Sequence, residues 1–112
     1  MELTAKMNPV VKTKWVAALR SGEYRQGTGY LCDAGYCYCC LGVLAATLGY
    51  APTDLGEETF LTNDMMERSG LTTNDPIVQV DLGTADMVEL SRLNDEEDYS
   101  FYQIADLIEA QL

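Results

Sequence analysis

The sequence has no histidine at all. Its absence removes the commonest general base, the Ser-His-Asp and Cys-His arrangements, and every metal site that uses an imidazole. Cations are also few, with seven Lys and Arg against eighteen Asp and Glu, for a net charge of −11. The longest stretch free of charge, from Ala34 to Thr53, contains glycines, a proline and several tyrosines. It makes a poor membrane span, and the first residues lack the apolar block of a signal peptide. The expectation is therefore a soluble protein of a reducing cytoplasm with no membrane association. A carboxylate pair could still do acid–base work, but only if burial tuned one of them. No acid here lies inside an apolar run, so an enzyme is not expected.

What is present is an ordinary globular composition, 47% apolar and 22% charged over 112 residues. That length provides for one domain, spanning 1–112, which buries enough surface to fold without a metal or disulfide. The charge is unevenly spread. Residues 1–50 carry a net charge of +2, and residues 51–112 carry −13, with only Arg68 and Arg92 as cations. Coulomb repulsion excludes direct nucleic-acid binding through the second half. An acidic face can mimic a nucleic acid or plug a basic groove of a partner; it can equally be a solvated surface.

Local signals outline an α+β fold of four to five helices with a short antiparallel β-hairpin. Asn8-Pro9 supplies a cap and first turn, and Val11, Trp15, Ala18 and Leu19 form one stripe that closes at Gly22. Tyr24 and Tyr30–Cys32, a turn at Asp33-Ala34-Gly35, and Tyr36–Tyr38 predict the hairpin. The run from Cys39 or Cys40 to Leu48 is apolar all round, which predicts a central buried helix. Gly42 within it predicts the close approach of another element. An acidic loop (53–59) precedes a short helix capped by Thr62 and closed by Gly70. Ile77–Val80 reads as a short strand or an extended loop. Thr84 is placed to cap a helix through Leu93, with Met87, Val88 and Leu90 inward, and 94–98 reads as a polar, acidic turn. Ser100 and Gln103 have capping-box spacing, with Tyr99 and Ile104 as a staple. Phe101, Ile104, Ala105, Ile108 and Leu112 then form the core face of the last helix.

Three clusters are candidates for function. Glu89, Asp95, Glu96, Glu97 and Asp98 flank the start of the last helix and form the candidate surface for a basic partner protein. Arg20, Tyr24, Arg25, Gln26 and Tyr30 combine guanidinium forks with tyrosines, a combination that suits a small anionic ligand of nucleotide type. Tyr36 stands beside them in the sequence. Cys32, Cys37, Cys39 and Cys40 are the third cluster, a possible zinc site. Four thiolates can complete a tetrahedral shell, but zinc knuckles place two residues between paired cysteines and this sequence has no such pair. The alternatives are buried structural thiols, a disulfide or a reactive thiol. No cofactor is expected. Asp95–Asp98 lacks the glycine and terminal glutamate of a calcium loop, and the glycines at 27 and 29 match no phosphate-binding loop.

Three segments taken together carry a resemblance: Trp15–Gly27 (WVAALRSGEYRQG), Cys39–Leu44 (CCLGVL), and Leu93-Asn94-Asp95 with Ser100-Phe101 and Ile104–Glu109. Their order and spacing resemble a group of short tailed-phage and prophage proteins. After Leu44 the chain departs from that group, having Ala45-Ala46 where many relatives carry a Cys-Asp pair. The resemblance implies phage origin and expression in a bacterial cytoplasm. It brings no catalytic residues. With the acidic half, it leads to the expectation of a non-enzymatic accessory protein that binds and inhibits a host protein, such as a defence or nucleic-acid enzyme.

Overall fold

The computed structural model describes residues 7–81 and 85–112. Among these, six helices and two small sheets surround one hydrophobic core, so the fold is α+β with a short antiparallel sheet. The elements are α1 (Pro9–Ser21), β1 (Arg25–Gln26), β2 (Cys37–Tyr38), α2 (Cys40–Thr47), α3 (Pro52–Leu55), α4 (Asn63–Ser69), β3 (Ile77–Asp81), β4 (Ala85–Glu89), α5 (Leu90–Asp95) and α6 (Phe101–Gln111). None of the helices among the described residues is long and apolar enough to cross a membrane.

α1 begins where the Asn8 side chain accepts the N–H groups of Val10 and Val11, and it ends at Gly22 with φ +78°. Trp15, Val16 and Leu19 are its buried residues, and the Trp15 indole N–H donates to the Cys40 carbonyl at 2.9 Å. That bond satisfies the one polar atom of a fully buried ring and ties α1 to the start of α2. In α2, Cys40 through Ala45 are all buried, as an apolar helix without a polar face requires. Gly42 allows the close approach: a Cβ there would lie 1.7 Å from the Leu31 carbonyl oxygen. α6 opens with the Ser100–Gln103 box, in which Gln103 N–H donates to Ser100 Oγ and Ser100 N–H to Gln103 Oε1. Phe101, Ile104, Ala105 and Ile108 are buried on its inner face, whereas Leu112 is half-buried.

Two expectations are corrected. Between the first two helices the antiparallel hairpin is reduced to a single bridge, Cys32 with Tyr38, and the longer pairing there is parallel. The cause is Leu31. Its side chain is in the core, its carbonyl faces Gly42, and its N–H donates to the Glu58 carbonyl instead of a hairpin partner. The predicted turn does form, with Asp33 Oδ1 accepting from the N–H groups of Gly35 and Cys37. The second correction concerns the helix expected through Leu93. Thr84 lies outside the described residues, and 85–89 is a strand paired antiparallel to 77–81, with helix only from Leu90. Alternation replaces the helical period there, burying Val78, Val80 and Val88 and leaving Met87 66% exposed. The acidic loop at 53–59 also contains the single turn α3.

Candidate functional site

The turn between α5 and α6 is organised by one buried amide. Asn94 is 4% exposed. Its Oδ1 accepts from the Gln26 amide at 2.9 Å and from Cys40 N–H at 3.2 Å. Its Nδ2 donates to the Gly27 carbonyl at 2.8 Å and to Asp95 Oδ1 at 2.7 Å. All the bonding capacity of the side chain is therefore used, and it joins the 26–27 segment, the start of α2 and the end of α5. Gln26 makes a further bond to the Tyr99 carbonyl, and Gly29 N–H donates to Asp95. A polar cleft of about 230 Å³ opens beside this network, lined by Gln26, Gly27, Thr28, Asn94, Asp98 and Tyr99.

The five candidate acids divide by role. Asp95 and Glu97 are half-buried and committed to the fold, Asp95 through Asn94 and Gly29, Glu97 through Arg92 at 3.0 Å. Glu89, Glu96 and Asp98 are exposed. Asp98 adopts φ +58°, a left-handed conformation that aspartate tolerates better than most residues. The two arginines of this half are both engaged. Arg92 pairs with Glu97, and Arg68 lies over the Tyr50 ring, donates to the Leu48 carbonyl and faces Asp64.

The ligand candidates are spread over separate places. Arg20 pairs with Asp106 at 2.6 Å and Glu109 at 3.0 Å across the α1–α6 seam, which raises its pKa and lowers that of Glu109. It lines a groove of about 390 Å³ with Pro9, Lys12, Thr13, Val16, Ala17 and Glu109. Tyr24 packs edge-to-face on Tyr38 with ring centroids 5.1 Å apart, and Gln26 belongs to the Asn94 network. Arg25 and Tyr30 are exposed, as is Tyr36.

The thiols do not converge. Cys32, Cys39 and Cys40 are buried, Cys37 is half-buried, and all four are free. Among the described residues, no group of three or more His, Cys, Asp or Glu is arranged to hold a metal ion. Burial raises the Cys32 thiol, pushes Cys39 up to about 11 and raises Cys40 well above its usual range. Neutral thiols in apolar surroundings are poor ligands and poor nucleophiles. Burial also pushes the Tyr38 phenol up to about 12.

Sequence reasoning passed over Asn94, which sits at the head of an acidic run, and Asp75. The Asp75 carboxylate accepts from the N–H and hydroxyl of Ser91, while the Pro76 carbonyl accepts from Leu90 N–H. The start of α5 is thus capped from a distant segment, in place of a side chain at Glu89. Only the Asn-Asp-Pro order at 74–76, a common turn former, hinted at such a role.

The family model "Domain of unknown function (DUF8296)" matches residues 7–112, and the chain belongs to that family. No curated protein and no solved structure is significantly similar to it.

Proposed function

We propose that this member of the DUF8296 family is a non-enzymatic binding protein that presents the α5–α6 turn to a basic surface of a partner protein. The observation that carries this reading is the division of labour among the five acids. Asp95 and Glu97 fix the turn, Glu96 and Asp98 are exposed on it, and Glu89 is exposed at the other end of α5, while Arg92 is held by Glu97 and Arg68 is engaged at Tyr50 and Asp64. Rigid, uncompensated carboxylates steer a cationic partner and fix its register more than they add raw affinity. The resemblance to tailed-phage and prophage proteins makes a host defence or nucleic-acid enzyme the partner class, with inhibition (counter-defence) as the outcome, in a bacterial cytoplasm.

The test is capture of a bacterial protein by immobilised wild-type chain, compared with a Glu89→Gln, Glu96→Gln, Asp98→Asn variant. These replacements remove charge, preserve shape and leave Asp95 and Glu97 in place. The captured protein should elute as salt rises towards roughly 1 M, and the variant should bind it about tenfold more weakly at low salt. Capture that is indifferent to both salt and the variant overturns the reading.

A further inference from the structure

The two edges of the β3–β4 ribbon are finished differently. On β3 the outward-facing main-chain groups of Gln79 are taken by one side chain: Gln79 N–H donates to Gln111 Oε1 at 2.7 Å, and Gln111 Nε2 donates to the Gln79 carbonyl at 2.9 Å. The carboxamide imitates a neighbouring strand and closes that edge. Gln79 stands opposite Met87 in the antiparallel register. Because Gln79 turns its N–H and C=O away from β4, the ladder geometry turns those of Met87 away from β3. Among the described residues no hydrogen bond takes either Met87 group. The Met87 side chain is 66% exposed, and Ile77, on the same face across the ribbon, is 49% exposed.

We infer that the outer edge of β4, centred on Met87, is a docking edge that adds an extended, cationic strand of a partner protein to the ribbon. An open edge with an apolar residue at its centre is the template for strand addition, and proteins ordinarily block such edges with lysine, proline or a covering element. Here the block is acidic, with exposed Glu89 at the end of the edge on a chain of net charge −11. That block repels a second copy of the same chain and attracts a basic strand. On the face shared by Met87 and Glu89, lysines of the added strand would lay their alkyl stems over Met87 and bring their charges to Glu89. The inference rests on the acidic-surface reading only for the sign of the partner's charge.

The probe is a fluorescein-labelled heptapeptide of alternating lysine and valine, followed by anisotropy at low salt. Its control is the same peptide methylated at alternate backbone nitrogens, which keeps the charge and removes strand pairing. Wild type should bind the first peptide about tenfold more tightly than the second, as expected from the loss of two or so hydrogen bonds. Met87→Pro should bind the unmethylated peptide about tenfold more weakly while keeping its Tm, because the lost N–H takes no part in the ribbon ladder. Equal binding of the two peptides, binding of neither, or unchanged binding by Met87→Pro overturns the inference. So does a wild-type dimer in sedimentation that Met87→Pro dissociates, since the occupant would then be a second copy. Equal binding of the two peptides, with partner capture still lost on neutralising Glu89, Glu96 and Asp98, leaves the acidic-surface reading standing alone. Discrimination between the peptides, with capture indifferent to that neutralisation, does the reverse.

Discussion

Two contacts hold the segment between α1 and α2 in place, and they work by opposite means. At one end Leu31 is pressed on Gly42, with its carbonyl where a side chain would otherwise be and its own side chain in the core. At the other end the 26–29 stretch is tied by hydrogen bonds to Asn94 and Asp95. The first contact is steric and apolar, and it tolerates no added atom. The second is polar, and it tolerates no missing partner. The same loop is therefore fixed once by shape and once by valence, and the acidic turn lies on the polar side.

The largest expected effect is at the steric contact. Gly42→Ala ordinarily favours a helix by about 1 kcal/mol. Here the new methyl meets a backbone oxygen, which cannot swing aside as a flexible side chain can. We expect destabilisation on the order of 4 kcal/mol, at the severe end for overpacking, measured by urea unfolding monitored through the Trp15 fluorescence. A stabilised Gly42→Ala variant would mean that α2 and Leu31 are not held together as described.

Second comes the polar contact. Asn94→Ala strands the Cys40 N–H, the Gly27 carbonyl and part of the Gln26 amide, each with a desolvation cost. The expected loss is about 2 to 3 kcal/mol, below that of Gly42→Ala, because water can reach the adjoining cleft and meet some of the demand. Asn94→Asp should cost more than Asn94→Ala. It removes the donor to Gly27 and sets a carboxylate against Asp95. Should Asn94→Ala prove more harmful than Gly42→Ala, the ranking of shape over valence is reversed.

The contrast also explains what the sequence made legible. Gly42 was readable as a close-approach site, since a glycine within an unbroken apolar helix has little other use. The caps of α1, α4 and α6 were readable because they join residues two or three positions apart. β4 was not, because its state depends on the register with 77–81 and its own residues fit a helical spacing equally well. Asn94 was hidden for a similar reason. Nothing adjacent to it distinguishes a buried amide from the acids that follow, and its burial exists only once the 26–29 stretch has docked. Of the candidate acids, position along the chain was legible, but the division into structural and exposed carboxylates was not.

The smallest expected effect concerns the carboxylate that begins α5 and so supports the polar side. Asp75 is half-buried, and desolvation raises its pKa above the ordinary carboxylate value, against the lowering effect of its bonds from Ser91. A raised carboxyl pKa means that the folded chain holds its proton to higher pH than the unfolded chain does. Between the unfolded value and the folded value, therefore, the folded state binds more protons, and stability falls as pH rises through that interval. Asp75→Asn keeps an acceptor for Ser91 and removes the titration. Its Tm relative to wild type should improve as pH climbs through the carboxylate range, then level off above the folded pKa. Thermal melts of both proteins at a series of pH values from roughly 3.5 to 7 give the comparison directly. If the Tm difference instead moves in wild type's favour with rising pH, the bonds from Ser91 outweigh burial, and α5 is capped by a charge that the fold stabilises.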